Sequence, residues 1–287
     1  MKKGFPSNNK AFTLGLDIHS TRPMKIAIEA HDKLKPATYY YKTKGDINGN
    51  RRWNLVFPQS PNQMIVNVYD AKFKSYQDYQ RFADQSIRDS FSIVREEVLP
   101  LKTTPIWLSP EDLSFIKFAK RFSDNASIYS ATNPDLTPSI YRSDDGKYTI
   151  DYYNKILDRK TKQPVNTPAR IGHQTGVIEV SKKDFLKYTV PMRMIILLHE
   201  YSHKWKNPAS GVRIDNESGA DINALYIYLS LGYSPIEAHQ AFLYVFDGAN
   251  NAQNKKRYLI LNKFIDDFYA GRLTQFVKEK NAVSTKK

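Results

Sequence analysis

Residues 11–70 read as strand-rich, with apolar and polar side chains alternating in several stretches. MKIAIEA (24–30) and MIVNVYD (64–70) alternate apolar and polar residues, the period of a strand with one buried face. TYYYKT (38–43) and RWNLVF (52–57) are rich in the aromatic residues that suit strands. GDING (45–49) lies between them, and its Asn48-Gly49 pair is a tight-turn signal, so a hairpin is expected there. GDINGN superficially resembles a calcium loop, but the glutamate such a loop needs at its twelfth position is missing.

From Ser75 the spacing becomes helical. Ser75 is a good N-cap with Asp78 three positions on, and Tyr79, Phe82, Ile87, Phe91, Val94 and Val98 follow until Pro100 stops the pattern. LPLKTTP (99–105) reads as a boundary. Beyond it Ser109 caps a helix opened by Pro110, with acids in its first turn. Residues 123–170 are polar and irregular except for a strand, YTIDYY (148–153), and GVIEVS (176–181) is a second strand. Four helices follow: from Pro191 to about Lys206, from about Asn216 to Leu231 before Gly232, from Ser234-Pro235-Ile236-Glu237 onward, and from about Asn251 to Ala270 before Gly271. The expected class is α+β. A β-rich N-terminal domain ending in a helix occupies 1–104 and serves interaction or assembly; a helix-rich domain with a basic C-terminal tail occupies 105–287.

Composition narrows the chemistry. The chain has 287 residues, with 43 Lys and Arg against 29 acids, a formal charge of +14. That balance favours acidic partners, nucleic acid included, yet the basic residues are scattered rather than massed. The run KKR at 255–257 and the terminal Lys286 and Lys287 are expected to face water. There is no cysteine, so any metal must be held by His, Asp or Glu. The 19 tyrosines, including 39–41 and 152–153, suit sheet faces or protein interfaces. MKKGFPSNNKAFTLGL lacks an apolar signal core and no segment is long and apolar enough to span a membrane, which points to a cytoplasmic protein, or a virion protein if phage-encoded.

The chemistry concentrates in LLHEYSHKW (197–205). His199 and His203 are four apart, so a helix places both imidazoles on one face, within reach of one metal ion. Glu200 can aim its carboxylate beside them. The neighbouring Ile195, Ile196, Leu197 and Leu198 make the helix apolar nearly all round, and two histidines buried in it need a partner, either a metal or hydrogen bonds. Fourteen positions after His203, NESGAD places Glu217 at the start of the next helix and Asp221 one turn on, with small Gly219 and Ala220 between them. The same acids would also suit the helix dipole, with Asn216 or Asp215 as cap.

HEYSH followed by ESGAD resembles the zincin metallopeptidases, in the gluzincin arrangement, over about residues 106–270. ARIGHQTGVIEVS also resembles the strand that precedes the active-site helix in that fold. The resemblance implies a zinc-dependent metallopeptidase, including a bacteriophage virion-associated form. His199, His203 and Glu217 would be zinc ligands and Glu200 the general base for a zinc-activated water attacking an amide. Asp221 would orient a histidine, and Gly176, Val177, Ile178 and Glu179 would form the rim strand that pairs with substrate. Tyr226, Tyr233, His239 and His173 are the candidates for stabilising the oxyanion. His19 and His31 are assigned nothing. The implied substrate is a protein or a peptidoglycan-type peptide. The connection from His203 to Glu217 is shorter than in thermolysin-like members and leaves little room for the substrate-binding insert found there. The alternative is a structural protein of a large assembly, such as a virion with neighbouring subunits, carrying the same domain for shape or binding.

Overall fold

The computed structural model describes residues 1–210, 216–243 and 252–272, and the chain divides into two units, Met1–Lys102 and Thr103–Lys287. The architecture mixes helix and strand, with a sheet at the N-terminal end.

One long strand organises the first unit. Strand β2 (Phe12–Asp32) pairs antiparallel with β3 (Tyr39–Phe57) along its length. Its opposite side is shared by β4 (Met64–Asp70) and β5 (Phe91–Pro100), and β1 (Lys2–Phe5) lies beyond β4. Two elements depart from the sequence reading. GDINGN is no hairpin turn, because β3 runs straight through it and β2 turns into β3 between Asp32 and Tyr39 instead. The Asn-Gly pair marks a bulge: the register jumps between Ser20 and Met24, and Gly49, opposite Ser20, takes φ +71°.

The helix expected from Ser75 to Val98 ends early. Helix α1 (Tyr76–Phe82), capped by Ser75, and the one-turn α2 (Gln85–Arg88) are followed by strand β5, so the unit closes on a strand. On β5 Phe91 is buried and Ile93, Glu97 and Leu99 are partly covered, while Val94 and Val98 face solvent. The register shift opposite Asp17 and Ile18 puts Ile93 and Glu97 on opposite faces, which breaks the period of two, and Glu97 is a residue that does not read as a covered one. It sits there because Arg52 reaches it at 2.8 Å across Gly15, where any Cβ would stand 2.4 Å from the guanidinium.

The second unit packs helices on a four-stranded sheet. Its elements are α3 (Pro110–Asn125), β6 (Ser139–Arg142), β7 (Thr149–Tyr153), β8 (Ala169–Ile171), β9 (Ile178–Ser181), α4 (Lys182–Phe185), α5 (Val190–Ser202), α6 (Glu217–Ser230), α7 (Pro235–Ala241) and α8 (Ala252–Tyr269). The strand order is β6-β7-β9-β8, parallel between β7 and β9 and antiparallel elsewhere. Strands β6 and β8 lie in the stretch read as irregular, being three or four residues long, too short to show a period. Ser109 and Asp112 form the reciprocal cap of α3. Among the described residues no helix is long and apolar enough to cross a membrane.

Helix α5 is the axis of this unit, with all thirteen residues buried. Ile195, Leu197 and Leu198 join Phe115, Ile150, Val180, Leu225 and Phe264 in one core, and Tyr201 stacks on Phe115 at 4.2 Å between ring centres. A polar network fastens the end of the helix. Tyr201 Oη donates to Asp112 at 2.8 Å, the Asn207 amide donates to the same carboxylate at 2.9 Å, and Asn223 of α6 accepts from the Asn207 backbone and donates to Ser202 Oγ. At the other end, fully buried Arg193 donates to the carbonyls of Ser123, Phe185 and Leu186, near the ends of α3 and α4. The negative ends of those helices complement its charge. Replacing Arg193 with Met keeps the apolar stem but strands these buried acceptors. Arg193→Met is expected to lower unfolding stability by about 3 kcal/mol, roughly one per carbonyl, in denaturant titration.

Candidate metal centre

His199 and His203 stand one turn apart at the end of α5, the second at the position that closes the helix. Glu217 opens α6, where Asn216 caps the helix by accepting from Gly219 N–H at 2.9 Å. Gly219 and Ala220 are buried, and their small side chains let α6 lie close to α5. The closeness brings the three side chains together. His199 Nε2 is 3.1 Å from His203 Nε2 and 3.3 Å from Glu217 Oε2, and His203 Nε2 is 3.6 Å from Glu217 Oε1.

Those three separations test whether the residues fit a metal. A tetrahedral ion with bonds near 2.0–2.1 Å separates its ligand atoms by about 3.3 Å. The observed edges straddle that value, so the donor set could hold one metal ion. No other group of three His, Cys, Asp or Glu side chains converges in this way among the described residues.

The environment divides the site into a buried and an open half. His199 is 2% exposed, while the Glu217 side chain is about half exposed. Asp221, fully buried one turn after Glu217, places Oδ1 2.9 Å from His199 Nδ1, so its carboxylate turns the ring and leaves Nε2 toward the site. Burial works against an imidazolium at His199, yet the Asp221 and Glu217 carboxylates outweigh it and carry the pKa up to about 10. The His199 hydrogen bond in turn holds Glu217 down to about 2, against the burial that opposes it. Burial, aided by the charge on His199, lowers His203. Glu200 is 8% exposed, and burial lifts it to about 7, with the Ile171 backbone amide pulling slightly the other way.

The cleft has a volume of about 280 Å³ and is lined by the three convergent residues, Glu200, His173 and strand β8 with Thr167. Here the rim assignment needs correction. Gly176 and Val177 lie in the turn before β9, and Ile178 and Glu179 lie in β9, which is paired on both sides and has no backbone free for another strand. The edge strand is β8, and Ala169, Arg170 and Ile171 border the cleft. A three-residue strand leaves no periodic trace; Pro164 and Pro168 before it were the only punctuation available. Gly176 serves packing instead. At φ +74°, a Cβ there would meet the Trp205 ring at 2.8 Å and Lys204 at 3.1 Å.

Of the four oxyanion candidates, His173 alone lines the cleft. Its ring lies 5.5 Å from that of His203, and Lys204 fixes its turn by donating to Gln174 O at 2.9 Å. Tyr226 packs on Phe268, Tyr233 stacks on Tyr228, and His239 lies against Tyr258, all away from the cleft. One participant was misread. Arg257, expected to face water in KKR, turns inward and donates to Asp221 through Nε and Nη2, both at 2.9 Å. The signal was present: Arg257 stands four, seven and eight residues before Leu261, Phe264 and Ile265, the buried stripe of α8, whereas Lys255 and Lys256 are off it and exposed. Lys286 and Lys287 lie outside the described residues.

In comparisons with known proteins, no family model, no curated protein and no solved structure matches this chain.

Two outcomes are expected. Because His199 is protonated below about pH 10 when no metal is bound while His203 is neutral above its lowered pKa, each ion displaces about one proton between roughly pH 7 and 9. Zinc affinity should therefore rise about tenfold per pH unit across that window, measured by calorimetry in buffers of different ionisation enthalpy. Glu217→Gln, which keeps the shape but removes the anionic ligand, should weaken zinc by more than about 100-fold in chelator competition.

Proposed function

We propose that the chain is a zinc-dependent metallopeptidase, hydrolysing an amide bond in the cleft between β8 and the start of α6. The observation that carries the reading is the triangle of His199, His203 and Glu217 with tetrahedral edges, set beside a buried carboxylate that is not part of it. Zinc is the ion expected of two imidazoles and one carboxylate with an open position, and when bound it supplies Lewis acidity that makes a water there acidic near neutrality.

The remaining work falls to the chain's own groups. Burial raises Glu200 to about 7, and its carboxylate lines the same cleft as the ligands. It accepts the proton of the attacking water and returns it to the leaving amine, which a carboxylate with an ordinary, lower pKa does less well. Ile171 of the edge strand lines the same cleft as Glu200. That strand borders the cleft and has backbone groups on its unpaired side, the arrangement that receives an extended peptide. His173, which lines the cleft, is the proposed donor to the negative charge that develops on the carbonyl oxygen. Asp221 holds the ring of His199.

The zincin likeness of HEYSH and ESGAD agrees with this reading, and the substrate it favours is a protein or a peptidoglycan stem peptide. Glu200→Gln is expected to retain zinc, measured by metal analysis, while lowering kcat on such a substrate by about 10³-fold. Undiminished hydrolysis by a zinc-loaded Glu200→Gln protein would sink the assignment.

A further inference from the structure

Arg257 reaches the site from α8, thirty-six residues beyond Asp221 in sequence, and engages both acids of α6. Its Nε and Nη2 each donate to Asp221, and Nη2 also lies 3.5 Å from Glu217 Oε2. The guanidinium side chain is 13% exposed and Asp221 is not exposed at all. Asp221 Oδ1, which receives Nη2, is the same oxygen that faces His199 Nδ1.

We propose that Arg257 is a positioning residue of the metal centre: its fork fixes the plane of the Asp221 carboxylate, and through it the orientation of His199. A carboxylate held by one imidazole alone can rotate about its terminal torsion. Two parallel donors from a planar guanidinium remove that freedom and keep Oδ1 against Nδ1, so that Nε2 stays turned to the metal. Arg257 Nη2 also stands 3.5 Å from Glu217 Oε2, a longer single contact with the carboxylate that opens α6. The centre thus draws on three helices, α5, α6 and α8. This inference rests on the metal-centre reading.

Charge alone argues in the opposite direction, since a guanidinium this close repels a metal cation. That opposition makes the two effects separable. Arg257→Lys keeps the charge and loses the fork; Arg257→Gln loses both. Positioning predicts that both variants bind zinc about 10–100-fold more weakly than the parent protein at fixed pH, in competition with a chromogenic chelator. It also predicts that the His199 Nδ1–H resonance of the zinc-loaded protein moves upfield and exchanges faster in both variants. Asp221→Asn should add less in the Arg257→Lys background than in the parent, because both changes act through one contact. Parent-like affinity in the Lys variant, or tighter zinc in the Gln variant, overturns the proposal. Failure of the parent chain to bind zinc overturns the metal-centre reading itself, and this inference with it. Melting curves without metal report whether the variants fold. If neither does, the parent's Arg257 Nε–H signal decides: slow exchange with a shift on zinc loading is expected, and fast exchange without a shift overturns the proposal.

Discussion

Two helices must lie close enough for a carboxylate on one to meet two imidazoles on the other, and the rest of the site depends on that approach. Helix α5 supplies the imidazoles one turn apart and α6 supplies Glu217 at its first position. Gly219 and Ala220 keep the surface of α6 low where the helices meet. The apolar face of α5 is buried on every side, so the helix cannot roll to a different facing without exposing Ile195, Leu197 or Leu198. At about 25 cal/mol per Å² of apolar surface, such exposure costs several kcal/mol, more than a surface ion pair returns. Packing thus sets the geometry, and the polar groups are arranged on it.

Those polar groups are satisfied in a chain. Asp221 takes His199 on one side and Arg257 on the other; Tyr201, Asn207, Asn223 and Ser202 close a second network behind the same helix, around Asp112. Buried charges that lack partners are costly, and here His199, Asp221, Glu217 and Arg257 offset one another without metal. Glu200 is the exception, lifted by burial and left near neutrality. A carboxylate poised there is suited to exchanging protons, the role proposed for it.

Legibility in the sequence followed contact order. The caps at Ser75, Ser109, Asn216 and Ser234, the strand at 64–70, strands inside 148–153 and 176–181, and the helices after Pro110, Pro191 and Pro235 are determined within a few residues, and all appear in the stretches expected. Segments whose state depends on distant partners were misread. Phe91, Val94 and Val98 carry a helical spacing, and only pairing with β2 shows residues 91–100 to be a strand. The Asn-Gly of GDINGN has the turn conformation its residues favour, but the strand beside it continues past and converts the turn into a bulge.

By itself the sequence determined which side chains can share a helix face: His199 with His203, Glu217 with Asp221, Arg257 with the apolar stripe of α8. These follow from 3.6 residues per turn and need no knowledge of the fold. Tertiary structure decided which faces meet. It passed the cleft edge from 176–179 to Ala169–Ile171, because β9 has neighbours on both sides and β8 has one. It left His173 lining the cleft and packed Tyr226, Tyr233 and His239 against Phe268, Tyr228 and Tyr258 instead. It also turned Arg257 from solvent to the buried Asp221. A carboxylate with no solvent around it needs cationic partners, and Arg257, thirty-six residues away in the chain, is one of them.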